Sequence, residues 1–495
     1  MLPRLWGNGK MNGVDDASLA YFRSLGVSHI WYTGILKHST GKPFVKGDPG
    51  SPYAVSDYYD INPYLAETES ERMLEFEQLV KRTHEAGLKV IIDFVPNHVG
   101  RDYGMERVRD DVSYFGDSDD RTVHWKESND FFYYPGEKLT LPTGSTYDEL
   151  PARASGNAYT PEPDINDWYD TIKLNYCPVH TATWDKMLDI LLFWASKGVD
   201  GFRCDMVELV PDGLFRWAIT EVKKQYPDIL FIAEVYQKEK YRQYIRQANF
   251  DYLYDKSGLY DVLRAVVMKN TIGSATAPGL WQSTKNITWN WQSLCDLQPR
   301  MLNFLENHDE QRFASSYFGA DGRNCFAALG VSLLFNTAPF MIYFGEEIGE
   351  RAEESSDGRT SIFDVKPVES LQRLCRFARE GSGLTAYEAE MFARFSKMTS
   401  LASEPLYSRG STFDLCYCNA GADGFDSNKH FAFLRHLDDQ TSLIFCNFSS
   451  NPARANLIIP EHASEMMGIA ARTVTVSAGP YSTSILALWP DDIME

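Results

Sequence analysis

The sequence predicts an α/β fold: a (β/α)8 TIM barrel with an insertion after its third strand and a C-terminal antiparallel β-sandwich. Three observations support this. Short apolar, β-rich runs alternate with helical patterns over most of the 495 residues, as a parallel sheet wound with helices requires. The third run is followed by a stretch, residues 96–180, that is rich in Asp, Tyr, Gly and Pro and lacks a sustained helical period. From about residue 401 strand-like runs replace the helices.

The runs expected to be strands are 2–5, 27–36, 88–95, 199–205, 230–234, 250–254, 301–305 and 340–344. Eight such runs favour a closed barrel over an open sheet. Between them, residues 72–86 repeat Met73, Phe76, Leu79 and Val80 at helical spacing, and residues 184–197 do so with Met187, Leu188, Leu191 and Leu192. Gly26, Gly87 and Gly198 each end a helical pattern just before a strand, where a left-handed C-terminal cap is expected. A loop as long as 96–180 is normally functional or a small domain. Runs at 430–435, 442–448, 456–459 and 483–488 complete the C-terminal sandwich. The expected domains are therefore 1–95 with 181–400 (barrel), 96–180 (insertion) and 401–495 (sandwich).

Composition narrows the function. With 44% hydrophobic and 23% charged residues the chain is globular. A formal charge of −20 disfavours nucleic acid, whose binding depends on Lys and Arg displacing counterions. The 14% aromatic content suits stacking on sugar faces, although packing accounts for any single ring equally well. The eight cysteines show no framework spacing and read as reduced thiols. No secretory progression opens the chain and no transmembrane run appears, so a cytoplasmic protein without a membrane partner is expected.

In such barrels chemistry sits at the C-terminal strand ends. There the third run ends Asp93-Phe94-Val95-Pro96-Asn97-His98, the fourth Arg203-Cys204-Asp205, the fifth Ile232-Ala233-Glu234 and the seventh Asn307-His308-Asp309. A lone acid at a strand end is usually a cap or a solvated charge, but four ordered motifs argue for a site. Retaining glycoside cleavage needs two carboxyls about 5–5.5 Å apart, one a nucleophile and one an acid. Adjacent strands four and five can supply them. Arg203 and Asp205, two apart on a strand, point the same way, so the guanidinium can hold the carboxylate ionised. Glu234 follows Phe231-Ile232-Ala233, where desolvation is expected to raise its pKa toward that of a working acid.

These motifs, with Gly201-Phe202 preceding Arg203, resemble in order the four signature regions of glycoside hydrolase family 13, the α-amylase family. By that resemblance Asp205 is the nucleophile, Glu234 the general acid/base and Asp309 the transition-state stabiliser. His98 and His308 would bind the −1 sugar, Tyr53 would stack beneath it, and Asp93 would brace Arg203. The resemblance also implies that 96–180 is the family's B domain and 401–495 its C domain, with an α-1,4-glucan or malto-oligosaccharide such as starch as substrate. No cofactor is expected. Calcium is left open, because Asn97 ligates it in some members and only fixes the loop in others, and Asp164, Asp167 and Asp170 could join it or be surface charges. Gly345-Glu346-Glu347 resembles a family motif taken as structural. Trp289 and Trp291 are candidates for the cleft, with packing the better use of at least one.

Two departures bear on specificity. Met206-Val207-Glu208-Leu209 stands where many starch-acting members carry Lys-His, and Gly50 stands where exo-acting relatives place an Asp that closes the non-reducing end. A transglycosylase or a cyclomaltodextrin- or pullulan-cleaving hydrolase of the same family is the alternative, and a non-catalytic scaffold is the more distant one.

Overall fold

The computed structural model describes residues 1–271 and 282–488. The chain divides into two compact units. One comprises Met1–Val235, Glu239–Leu253 and Ser361–Ser382, the other Tyr236–Lys238, Tyr254–Thr360 and Gly383–Glu495.

In the first unit the strands His29–Tyr32, Lys89–Phe94, Gly201–Cys204 and Leu230–Ala233 run parallel in that order. Residues 252–253 continue the ladder beside Ile232 and Ala233. All of Gly201–Cys204 and all but the first residue of Lys89–Phe94 are buried, as expected of parallel strands covered on both faces. Helices return the chain between strands. Arg72–Glu85 buries Phe76, Leu79 and Val80, and Ala182–Ser196 buries Trp184, Met187, Ile190, Leu191 and Trp194. Each such side chain contributes about 1.5–3 kcal/mol by leaving water. Gly26, Gly87 and Gly198 have φ of 83°, 77° and 86°, the left-handed conformation that their place before a strand implies.

Residues 96–180 fold as short ladders around a satellite core of Phe44, Leu139, Leu141, Ala152 and Tyr169. Tyr133–Tyr134 pairs with Ala152–Arg153, and His98–Gly100 pairs antiparallel with Thr171–Lys173. A buried Arg101 ties the segment together, donating to Glu149 at 2.8 Å and Ser155 at 2.8 Å.

In the second unit Met301–Phe304 pairs parallel with Phe340–Met341. The helix Phe326–Leu334 is apolar on every side and buried along its whole length. Ser411–Asp414, His430–Leu437, Gln440–Asn447 and Ser482–Leu488 make a four-stranded antiparallel sheet, and Ala453–Ile459 pairs with Arg472–Ala478.

The structure corrects three expectations. Residues 2–5 are not a strand: Pro3–Leu5 is a 3-10 turn, and strand-like bonding is confined to Met1, whose main chain bonds Trp31 and Thr33. Pro3 sits at the first helical position, which suits its fixed φ and missing N–H. Val55–Ile61 is a strand the sequence did not signal. Helices also continue past residue 401, with Pro405–Ser408 and Glu461–Met467.

Candidate active site

The ladder register places the chemistry. Asp93 is level with Arg203, and Cys204 with Ala233. The pairing runs one residue further, because the Asp205 N–H donates to Phe94 O at 2.8 Å and the Glu234 N–H to Cys204 O at 3.1 Å. Asp205 and Glu234 therefore stand level on neighbouring strands, which lie about 4.8 Å apart, with side chains on the same face. Main-chain bonds fix both before any side-chain contact acts.

Arg203 joins the carboxylates. Its side chain is 1% exposed; Nη1 lies 2.6 Å from Asp205 Oδ1 and 3.6 Å from Asp93 Oδ1, and Nη2 lies 2.7 Å from Glu234 Oε1. A planar guanidinium fits two carboxylates at once, as a point-charge ammonium does not. The Met206 N–H donates to Glu234 Oε2 at 2.9 Å from a left-handed residue with φ of 45°. Glu234 is buried, as the preceding Phe231-Ile232-Ala233 run implies, and its immediate partners are polar. The apolar side chains lie lower on the strand, and the carboxyl meets a guanidinium and an N–H.

Asp93 braces Arg203 and gathers two further side chains, accepting from Tyr53 Oη at 3.3 Å and from Trp31 Nε1 at 3.0 Å. The Arg203 guanidinium lies 5.4 Å from the Tyr53 ring centre and 5.3 Å from that of Trp31. Sequence reasoning missed Trp31. Its signal was strand parity, since Ile30 and Tyr32 are buried on one face and Trp31 takes the other.

His98 is buried against the insertion. Its ring lies 5.1 Å from Trp168, and its pKa is pushed down to about 3, chiefly by burial and then by the nearby Lys173 ammonium. It is a neutral imidazole at any ordinary pH. The second unit presents Asn307, His308 and Asp309 after the strand Met301–Phe304. Asn307 Oδ1 accepts from the N–H groups of Asp309 and Glu310 at 2.8 and 2.9 Å, shaping the turn. His308 is buried, and its Nε2 lies 3.0 Å from Oδ2 of the half-exposed Asp309. Trp289 is exposed, whereas Trp291 packs 5.2 Å from Phe335. Glu346 and Glu347 are buried and accept from the N–H groups of Tyr343 and Gly345, in keeping with a structural role.

Asn97 is engaged by a cation of the chain itself: Lys173 Nζ donates to its Oδ1 at 2.7 Å. Asp164 and Asp167 bond each other's turn, and Asp170 faces Lys46 at 3.8 Å, so none of the three gathers at Asn97. Among the described residues no three His, Cys, Asp or Glu side chains collect around a metal position. An ammonium on the Asn97 oxygen repels a second cation there. Prolonged dialysis against EDTA is therefore expected to leave the thermal midpoint unchanged. A fall of several degrees that calcium restores would contradict this.

Parallel strands wound with helices and carrying acids on a buried arginine at their C-terminal ends are the arrangement of an α/β enzyme, and sequence comparison makes the family definite. The profile described as "Alpha amylase, catalytic domain" matches residues 5–372, and the chain belongs to the α-amylase family. It is 26% identical over 351 residues to Alpha-amylase 3 of Dictyoglomus thermophilum, covering 69% of this chain and 60% of the relative. It is 27% identical over 292 residues to the amino acid transporter heavy chain SLC3A1 of Homo sapiens, covering 56% of this chain and 35% of that protein. The matches thus span less than two thirds of these relatives' own length, 60% of the one and 35% of the other. The crystal structure of an α-amylase from Lactobacillus plantarum superposes with a TM-score of 0.65 at 19% identity, covering 99% of this chain and 97% of the other. That likeness shows the fold, a (β/α)8 barrel followed by C-terminal antiparallel sheets.

Proposed function

We propose that the chain is a retaining α-glycoside hydrolase of the α-amylase type, acting on α-1,4-linked glucans or malto-oligosaccharides. The observation that carries this is the single buried guanidinium spanning Asp205 and Glu234 at the same level of adjacent strands. A pair held side by side suits direct attack; an inverting pair is spread to about 6.5–9.5 Å to admit water between.

In the first step an Asp205 oxygen bonds to the anomeric carbon while the glycosidic C–O bond breaks, and Glu234 gives its proton to the departing oxygen. In the second, Glu234 takes a proton from water, whose oxygen displaces Asp205. Two inversions leave the α-anomer. Asp309 stabilises the oxocarbenium-like charge, His98 and His308 bind the −1 sugar, and Tyr53 stacks beneath it. The domains at 1–95 with 181–400, 96–180 and 401–495 belong to the same reading. All eight cysteines are free thiols, which supports a reducing, cytoplasmic setting.

Gly50 bears on where the enzyme cuts. It holds φ of 73°, and a Cβ there would meet Ser39 O at 2.0 Å, so a carboxylate that closes the non-reducing end has no room. Leu209 is exposed and offers the leaving-group sugar apolar contact alone. Early cleavage within end-labelled maltoheptaose is expected, with the α-anomer first by proton NMR. Release of a single glucose or maltose from the non-reducing end alone would refute the open cleft, and a β-anomer appearing first would refute the mechanism. Products longer than the substrate would identify the transferase alternative. The scaffold reading predicts no turnover, and the intact set of Asp205, Glu234 and Asp309 speaks against it.

A further inference from the structure

Lys173 lies on the return leg of the insertion, level with His98 in the antiparallel pair Thr171–Lys173 and His98–Gly100. An ammonium only donates, so the Asn97 atom 2.7 Å from Nζ is necessarily the carbonyl oxygen. The other end of that amide is then NH2, with two protons to give. One goes to Gly156 O at 2.9 Å, and the second points at His98 Nδ1, 3.1 Å away. Nδ1 must therefore be an unprotonated acceptor, and the proton of the neutral ring sits on Nε2. The rest of the pocket agrees. The ring also bonds the Tyr53 main chain, whose N–H is already given to Ser51 Oγ, so the partner is a carbonyl and needs a ring N–H.

We propose that Lys173 is a positioning residue that fixes the Asn97 amide in one orientation and thereby holds His98 as the Nε2–H tautomer, tied to the loop that carries Tyr53. The inference rests on the proposed role of His98 and Tyr53 in the −1 subsite for its effect on catalysis, but the tautomer does not depend on that role. It also explains why the insertion carries a buried, unusually weakly basic lysine: burial pushes the Lys173 pKa down to about 8, a cost the fold bears at this contact.

The test is side-chain 15N NMR of His98 in the full chain, beside maltoheptaose kinetics. Wild type is expected to show Nε2–H alone. In Lys173→Met the amide is free to turn, and a mixture with Nδ1–H is expected together with a fall in kcat/KM of about tenfold, the worth of one hydrogen bond. Lys173→Arg, which still donates to the Asn97 oxygen, should restore both. Asn97→Asp keeps the lysine contact but offers His98 no donor, so it should drive the ring to carry a proton on Nδ1, and it serves if Lys173→Met does not fold. Nδ1–H in wild type, or pure Nε2–H in both Lys173→Met and Asn97→Asp, would overturn the proposal. If wild type cleaves no glucan while the tautomers behave as described, the functional reading fails and this one stands.

Discussion

Asp205→Asn is expected to lower kcat on maltoheptaose by about 10⁴-fold or more, while the folded protein melts at the wild-type temperature or above it. The loss follows from chemistry: an amide matches the carboxylate in shape but does not form the glycosyl ester, and removing a covalent nucleophile costs several orders of magnitude. The unchanged or raised midpoint follows from the charge around Arg203. Three carboxylates, those of Asp93, Asp205 and Glu234, surround one buried guanidinium. The cluster carries surplus negative charge, and like charges in a poorly solvated site repel one another. An asparagine keeps an oxygen for Arg203 Nη1 and removes one of the repelling charges. Catalytic sites commonly hold such a strain against stability. Steady-state kinetics and a circular-dichroism melt decide it. Wild-type turnover in a folded variant would remove Asp205 from the mechanism, and a variant several degrees less stable would mean that the cluster is not strained by its charge.

Much of this site could be read from sequence because strand parity is a local rule. Arg203 and Asp205 share a face two residues apart, and the ladder brings Asp93 and Glu234 to the same face from neighbouring strands. What local rules do not reach was missed. The Lys173 contact to Asn97 spans 76 residues. The N–H that meets Glu234 belongs to a left-handed methionine, and a positive φ at a long side chain leaves no compositional trace. The burial of Glu234 is foreshadowed by the apolar run before it, but that run describes the strand below the carboxyl and says nothing of the arginine beside it.

The same limit explains the fold-level misses. Residues 2–5 are apolar enough to pass for a strand, and periodicity does not separate four such residues from a buried turn. Val55–Ile61 was overlooked for the opposite reason, because Ser56, Asp57 and Asp60 break its apolar run, yet every residue in it is buried. Long-range partners satisfy those carboxylates. Asp60 takes a two-pronged bond from Arg72 at 2.7 and 2.8 Å, and Asp57 accepts from Tyr114 Oη and from the Tyr59 N–H. A buried polar group is tolerable once bonded, and its partners are visible only in three dimensions.

Arg203→Met is the second large expected effect, and here stability suffers rather than rate alone. Methionine fills much of the volume but leaves Asp93, Asp205 and Glu234 buried without their shared counter-charge. Removing one partner of a buried ion pair typically costs about 3–5 kcal/mol. Contacts with the Trp31 and Tyr53 rings go with it. Lysine should not rescue the site, because a single ammonium does not present two parallel donors to carboxylates on adjacent strands. Turnover should be lost in both variants, since the main chain still sets the two residues level but neither variant holds the Asp205 and Glu234 carboxyl groups as the guanidinium does. Acid is expected to restore part of the stability of Arg203→Met, because protonating the uncompensated carboxylates removes the charge that destabilises the fold. Urea melts of wild type, Arg203→Met and Arg203→Lys at neutral and acidic pH measure this. If Arg203→Met is as stable as wild type at neutral pH, the guanidinium does not balance the buried carboxylates, and the observation on which the proposed mechanism rests loses its physical meaning.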